Sequence, residues 1–595
     1  MSFFDTVNLA GGLALFLYGM SAMGSGLEKF AGGKLEGILR RLTSNTLSAV
    51  MFGALITAVI QSSSATTVIV VGLVNAGIMQ LPQAIGVIMG ANIGTTITSQ
   101  ILRLSDISSS NILLQLLKPS TIAPIFAIIG AVMFVFMKSK KANDLGQIFL
   151  GFGILFTGMF TMEGAVAPLR DSPLFLQLFS TLTNPILGVL AGALVTAALQ
   201  SSSASIGILQ ALSSTGSITW GAAVPIILGQ NIGTTITSML SSVGASRNAR
   251  RSAIVHLYFN IIGTLLFLVG IYSLKAAVGI PFWGDVISRG GIANFHTVFN
   301  VGTTLLFLPF TKVLSRLAYL TIPVSEEERG SAAPDMPVLD ERLLVSPPVA
   351  VQQAKSAVDA MGQYAQQNLL AVFPLLFRYQ GDVVALVEQK ESALDQMEAN
   401  IDDYLVRISD EALSENENRI VSQMFSQVTE FERIGDYAIN LMNRAAEMAD
   451  KDITFTPVAQ RELRHLFAAL EEIVDMSVRC YIHTDAVLAS RVEPLEQTID
   501  RMCDLLKDKH IDRLKNNQCT IDAGIIFLNL LTNLERVADH CSNVAALVMG
   551  GELDVDEMFD VHALRKRLHA GYEEQYNTLL ESYQLKYLSP LTKEE

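Results

Sequence analysis

Apolar residues dominate residues 7–320, but they come in two patterns: uninterrupted runs, and runs punctuated by Ser, Thr, Asn, Gln and Gly. A helix that crosses a bilayer needs about 20 mostly apolar residues. That length predicts spans over 7–27, 119–137, 145–163, 252–274 and 293–320. The stretches 46–78, 82–101, 184–216 and 220–240 are apolar yet too interrupted to read as plain helices. Thr46–Ile60 offers 15 residues. At 1.5 Å per residue it reaches about 22 Å, short of a hydrocarbon core of about 30 Å. It is expected to stop part-way.

From about Val349 the period changes. Apolar positions recur at i, i+3 and i+4, as in IVSQMFSQVTEFERIGDYAINLM, which predicts long amphipathic helices packed as a bundle. Residues 324–348, polar and proline-rich, read as a linker. The expected fold class is therefore all-α: a polytopic membrane domain with broken or re-entrant helices over 1–323, then a helical bundle over 349–585.

Composition sharpens this division. Half of the 595 residues are hydrophobic and mean hydropathy is +0.40, too apolar for an ordinary soluble protein. Residues 1–325 hold 17 Lys/Arg against 8 Asp/Glu, whereas 326–595 hold 25 against 48. A mildly basic membrane half thus precedes a strongly acidic one, which gives nucleic acid no footing as a partner. The basic residues cluster at Lys29–Lys34–Arg40–Arg41, Lys138–Lys140–Lys141, Arg247–Arg250–Arg251 and Lys312–Arg316. Placing all four in the cytoplasm puts the N-terminus outside and the acidic half inside. The opening MSFFDTVNLAGG lacks a basic region and a cleavage pattern, so the first apolar stretch is expected to be retained. Cys480, Cys503, Cys519 and Cys541 have no C-x-x-C spacing and fit buried thiols in a reducing compartment.

The interruptions themselves repeat. A shift of 139 residues lays GALITAVIQSSSATT (Gly53–Thr67) over GALVTAALQSSSASI (Gly192–Ile206) without a gap, and GANIGTTITS (Gly90–Ser99) over GQNIGTTITS (Gly229–Ser238). Repeats are expected over about 5–138 and 144–277, with 293–320 as an extra span. In the orientation above, helix 119–137 and its partner 258–276 cross in opposite senses, making the duplication inverted. Inverted repeats place substrate and ion sites near the midplane, on discontinuous helices. Broken backbone is tolerated there only where it lines a cavity or is buried in protein. The breaks are expected at QSSS and N-I-G-T-T.

Each QSSS copy supplies a carboxamide and several hydroxyls: Gln61, Ser62, Ser63, Ser64 and Thr66 in one, Gln200, Ser201, Ser202, Ser203 and Ser205 in the other. Hydroxyls donate to an oxyanion and also coordinate cations through oxygen. A helix restarting inside the motif aims free N–H groups at the break, which suits an anion. Unwound carbonyls beside it suit Na⁺. The motifs contain no Lys or Arg, as befits a ligand that must be released. The alternative is that these hydroxyls bond back to their own helices and serve packing. Asn92, Thr95 and Thr96, with Asn231, Thr234 and Thr235, either complete the site or form a G-x-x-x-G packing face. A local repeat, HLYFNIIGTLLFL (His256–Leu268) against HTVFNVGTTLLFL (His296–Leu308), reads equally as function or as interhelical bonding. No nucleophile–base constellation is visible, and the chain is not expected to be an enzyme.

The acidic half holds its own duplication, offset by 103: ERIGDYAIN (Glu432–Asn440) and ERVADHCSN (Glu535–Asn543). Glu, Asp and Asn recur on one helix face. Two such faces meeting would hold metal through Glu432, Asp436, Glu535 and Asp539; otherwise they are solvated charge or a dimerisation bundle.

On these residues the chain resembles the type II Na⁺/phosphate cotransporters, whose signature is a duplicated QSSS segment, matched over about 5–320. The resemblance implies alternating-access symport of Na⁺ and inorganic phosphate, with the QSSS residues lining both sites. The two E-R-x-x-D-x-x-x-N copies resemble PhoU, a cytoplasmic helical regulator of phosphate uptake. That likeness implies a divalent or iron-type metal at the four carboxylates, a cytoplasmic regulatory partner, and a bacterial inner membrane as the location; it leaves a homodimer open. Two rivals stand beside this expectation. One is a phosphate exporter using the same site, the other a phosphate-sensing signalling protein. Ser205–Ile206 stands where the first copy has Thr66–Thr67, so the copies are not expected to be equivalent.

Overall fold

The computed structural model describes residues 2–31, 45–106, 118–137, 139–324, 338–411, 413–550 and 574–593. Lys34, Arg40, Arg41 and Lys138 of the basic clusters lie outside these, as does 325–337 of the expected linker. Among the described residues the only β contact is an isolated bridge between Thr219 and Val286. The chain forms two compact units, Met1–Ala332 with Asp340–Pro348, and Ala333–Leu339 with Val349–Glu595.

The first unit contains α1 (Phe3–Ala31), α2 (Thr46–Ile60), α3 (Ser63–Asn75), α4 (Leu81–Leu102), α5 (Pro119–Phe136), α6 (Lys140–Val166) and α7 (Pro173–Thr181). There follow α8 (Pro185–Leu199), α9 (Ser202–Ser213), α10 (Trp220–Gly233), α11 (Thr235–Ser241), α12 (Arg247–Ala277), α13 (Arg289–Phe307) and α14 (Thr311–Thr321). Among the described residues six helices are long and apolar enough to cross a membrane, seven if α7 and α8, bent by 107°, count as one span. All five expected spans fall on these six. The sixth, Leu81–Leu102, corrects the reading of 82–101 as broken: α4 runs unbroken through N-I-G-T-T. Its Asn and Thr side chains bond back along their own helix instead of parting it. The second N-I-G-T-T is divided at Thr234, but only slightly, since Thr234 N still donates to Gln230 O at 3.2 Å.

The unit is apolar outside and polar within. Met51, Ile128, Val135, Leu194 and Val269 are exposed, whereas Thr57, Gln61, Gln230, His256, Asn260 and Asn300 are buried. That distribution suits a hydrocarbon surround, where polar groups must find partners inside the protein.

Glycines fix how the two copies meet. A Cβ on Gly12 of α1 would lie 2.9 Å from Gly158 O of α6, and one on Gly158 would lie 2.6 Å from Gly12 O. One turn-pair further along, Gly19 and Gly151 stand in the same relation, at 2.7 and 2.8 Å from each other's carbonyl. Residue numbers rise in α1 as they fall in α6, so the helices are antiparallel. Since 151 and 158 are 12 and 19 shifted by 139, exchanging the copies maps one contact onto the other. The repeats are therefore related by an inverting pseudo-two-fold axis through this crossing.

The same exchange relates the hairpins α2–α4 and α8–α10. A Cβ on Gly90 would sit 2.0 Å from Val50 O, and on Gly229 2.0 Å from Val189 O. It also relates α12 to α13. His256 of α12 bonds Ser238 at 2.9 Å and Thr264 bonds Leu228 O at 3.3 Å. His296 of α13 contacts Ser99 at 3.3 Å and Thr304 bonds Met89 O at 3.3 Å. The rings Phe259–Phe307 and Phe267–Phe299 close the pair. These bonds set α13, rather than α5, opposite α12; α5 packs against α6.

A short strap completes the unit. Residues Glu341–Val345 form a 3-10 turn. Asp340 Oδ2 accepts from Asn75 Nδ2 at the end of α3 at 2.7 Å, and pairs with Arg342 at 3.0 Å. Arg342 donates to Ser241 O and Val243 O beyond α11, at 2.6 and 3.1 Å. Part of the expected linker is thus built into the first unit.

The second unit comprises α15 (Pro347–Val372), α16 (Gly381–Ser409), α17 (Glu415–Asp450), α18 (Pro457–His483), α19 (Val492–Lys515), α20 (Ile521–Gly550) and α21 (Glu574–Tyr583). Its core holds Leu394, Phe431, Leu470, Ile499, Phe527 and Leu534, all fully buried.

Gly90→Ala is expected to force α2 from α4 and destabilise the fold by about 1–3 kcal/mol or more, because the Cβ meets backbone. Gly11→Ala, where a Cβ meets nothing within 4 Å, serves as the control. Size-exclusion profiles and melting of the two purified variants check this; equal behaviour would remove the close-packing argument.

Candidate functional site

The first break is built by two consecutive residues. Gln61 ends α2 in the left-handed region, φ +58°, and its N–H closes the helix on Thr57 O at 2.8 Å. Ser62 is extended, φ −143°, and its Oγ accepts from Ala65 N at 3.1 Å, so Ser62 caps α3. The second break repeats the turn and the cap. Gln200 has φ +52°, and Ser201, φ −145°, caps α9 through Ala204 N at 3.2 Å. A left-handed non-glycine residue costs on the order of 1 kcal/mol or more. Its presence at equivalent places in both copies means that the surrounding structure holds it there.

Hydroxyls tie each hairpin across its break. Thr57 Oγ1 donates to Thr66 Oγ1 at 2.9 Å, and Thr196 Oγ1 to Ser205 Oγ at 2.8 Å. The two breaks also meet: Ser64 Oγ donates to Gln200 O at 3.2 Å. Two helix N-termini, those of α3 and α9, therefore converge. The first N–H groups of a helix have no intrahelical acceptor. Once the caps have taken Ala65 and Ala204, the amides of Ser63, Ser64, Ser202 and Ser203 remain as donors. Buried Ser63, Ser202 and Ser203 add hydroxyls, and no charged side chain belongs to either motif. The arrangement is suited to a small oxyanion held by neutral donors, with carbonyl and hydroxyl oxygens at hand for a hard cation.

The copies differ in detail. Gln61 is buried, with Oε1 accepting from Thr98 Oγ1 at 2.9 Å, whereas Gln200 is exposed. Thr67 Oγ1 bonds Ser64 O at 3.0 Å where the second copy has Ile206. Gln230 Nε2 bonds Ser205 O at 3.0 Å where the first copy has Ala91.

The second set of candidates behaves otherwise. Asn92, Thr95 and Thr96 donate to Ile88 O, Ala91 O and Ile93 O; Asn231, Thr234 and Thr235 donate to Ile227 O, Gln230 O and Ile232 O. Among the described residues none of the six bonds a QSSS residue. Their geometry is that of helix back-bonding. Sequence reasoning passed over Thr57 and Thr196, although both lie inside the gapless 139-residue match. Thr98 and Gln230 lie inside the second gapless match, but their contacts with the breaks come from other helices and have no signature in spacing.

In the second unit the two carboxylate faces do not meet. Glu432 and Asp436 of α17 look toward Glu391, Asp395 and Glu398 of α16. Glu535 and Asp539 of α20 look toward Asp500 and Asp504 of α19. Among the described residues no three His, Cys, Asp or Glu side chains are gathered so as to hold a metal ion. The metal expected at Glu432, Asp436, Glu535 and Asp539 therefore has no assembled ligand set.

Burial, then the charges of Asp395 and Asp436, push the Glu391 carboxyl up to about 7. Burial and then Asp436 also raise Glu432, with Arg433 acting against them. A carboxyl raised on folding binds its proton better in the folded state. Its stabilisation is complete at acid pH and lost as pH climbs through 7. The tail of the full chain is expected to melt at lower temperature at pH 8 than at pH 5.5, and Glu391→Gln to flatten that slope. Melting curves across this range check it; an unchanged slope in the variant would refute the assignment.

Comparison with known proteins places these features. The Na⁺/Pi-cotransporter family model matches residues 15–164 and 171–284, and the PhoU domain model matches 358–445 and 463–548. "Putative inorganic phosphate export protein YjbB" of Escherichia coli O157:H7 is 25% identical over 555 residues, 91% of this chain and 97% of that protein. "Uncharacterized protein YqeW" of Bacillus subtilis is 33% identical over 314 residues, 52% of this chain and 96% of that protein. "Sodium-dependent phosphate transport protein 2A" of Rattus norvegicus is 36% identical over 99 residues, 16% of this chain and 15% of that protein. The chain belongs to the Na⁺/Pi-cotransporter family and carries a C-terminal PhoU domain.

Proposed function

We propose that the chain moves inorganic phosphate across the membrane by Na⁺-coupled alternating access at the paired QSSS breaks, with the PhoU unit as a cytoplasmic regulatory domain. The observation that carries this reading is the convergence of two capped helix starts at Ser64 and Gln200, lined by uncharged donors. Phosphate needs several donors, which the four free amides and the serine hydroxyls supply. It must also leave, and neutral donors bind it more weakly than Arg or Lys would. The left-handed Gln61 and Gln200 turn carbonyls out of the helices beside the anion, where Na⁺ finds oxygen ligands. Bringing Na⁺ and phosphate in together lowers the charge that crosses. The inverting axis through α1 and α6 provides the exchange of roles on which alternating access depends.

Labelled phosphate flux in proteoliposomes, with Na⁺ gradients imposed in each direction, tests this. Flux is expected to follow the Na⁺ gradient, and none in either direction would sink the proposal. Ser63→Ala and Ser202→Ala each remove one donor to a charged ligand, worth about 1.5–3 kcal/mol, or about 10- to 100-fold in affinity. Both variants are expected to stay folded and lose transport.

The relative described as an export protein favours a second reading, in which the same site releases excess phosphate. Direction follows gradients and regulation, which the site does not encode. If the physiological direction is outward, deleting the protein raises cell phosphate; if inward, deletion lowers it.

A further inference from the structure

The second unit is internally duplicated beyond the two E-R-x-x-D-x-x-x-N segments. A shift of 105 residues lays α16 over α19: Glu391 on Glu496, Leu394 on Ile499, Asp395 on Asp500, Met397 on Met502 and Ile401 on Leu506. The apolar members of this match are buried in both helices, so packing fixes the register. The same shift lays Asp402 on Lys507. At that place on the acidic face, the charge is reversed.

The two faces answer this reversal differently. Asp402 Oδ1 is buried without a hydrogen-bond partner. Around it the first face carries Glu391, Asp395, Glu398, Glu432 and Asp436, and the cation there, Arg433, lies 3.6 Å from Glu432 and 3.4 Å from Asp436 on the same helix. On the second face Lys507 crosses from α19 to α20. Its Nζ lies 2.7 Å from Glu535 Oε2 and 3.5 Å from Asp504 Oδ1, with Asp500 and Asp539 nearby and Arg536 held 3.5 Å from Asp539. A divalent ion bridging α19 and α20 through these carboxylates would have to occupy the volume and the charge position that the ammonium already fills.

We propose that Lys507 is a built-in cation that replaces a bridging divalent metal on the second acidic face, so that this face closes without metal. The ammonium neutralises Glu535 and joins the two helices, as a carboxylate-bound ion would. It does so permanently, whereas a metal would come and go with supply. The second face is then a fixed structural element, and its carboxylates are unavailable to oxygen-seeking ions such as Mn²⁺.

The test uses the full chain purified in detergent, with Mn²⁺ as the probe and bound metal counted by elemental analysis after gel filtration. Glu432→Gln with Asp436→Asn silences the first face and provides the background. That background is expected to retain no Mn²⁺. Adding Lys507→Asp, which restores the residue type of position 402, is expected to bring retention to about one ion per chain. Lys507→Gln, which only removes the charge, is expected to bind more weakly yet above background. Circular dichroism reports whether each variant is folded, and if Lys507→Asp is not, Lys507→Gln decides. Mn²⁺ retained with Lys507 in place would overturn the proposal, as would no gain in a folded variant.

Discussion

A helix that stops inside a hydrocarbon layer leaves N–H and C=O groups that no water can satisfy, and each must find a partner within the protein. That constraint shapes the whole first unit. Gln61 and Gln200 turn the chain, Ser62 and Ser201 cap the restarting helices, and Thr57–Thr66 and Thr196–Ser205 tie the two sides of each break. What the caps leave over are the amides of Ser63, Ser64, Ser202 and Ser203. The glycine contacts that bring α2 to α4 and α8 to α10 within backbone distance serve the same end, because they bury the breaks in protein instead of lipid.

Much of this was legible in the sequence, because duplication writes a constraint twice. The 139-residue offset located the breaks, and the capping residues are those with side-chain oxygen at the right place. The spans rested on the length of uninterrupted apolar runs, and the helices of the tail on apolar periodicity, which burial enforces. Sequence reasoning failed where contacts join different helices. N-I-G-T-T looked like a second break because Gly, Asn and Thr are poor helix formers, yet in α4 their side chains return hydrogen bonds to the preceding turn and Gly94 accepts close approach by Ala54. Thr98 and Gln230 reach the breaks only through the tertiary fold, and the place opposite α12 went to α13, a span that the 139-residue register does not include.

The tail illustrates the converse. Its two E-R-x-x-D-x-x-x-N copies share a pattern but not an electrostatic situation, since each faces a different partner helix. One face leaves carboxylates against each other, which raises Glu391; the other brings a lysine among them. Motif identity did not carry site identity. The relative from Bacillus subtilis aligns with 52% of this chain, which is 96% of its own length.

The bond from Ser64 Oγ to Gln200 O has an implication of its own. The pseudo-two-fold would carry it onto a bond from Ser203 Oγ to Gln61 O, which is absent among the described residues. A nearly symmetric sequence has therefore settled in an asymmetric shape. The asymmetry extends to places where the copies carry different residues: Thr67 bonds Ser64 O where the other copy has Ile206, and Gln230 bonds Ser205 O where the other has Ala91.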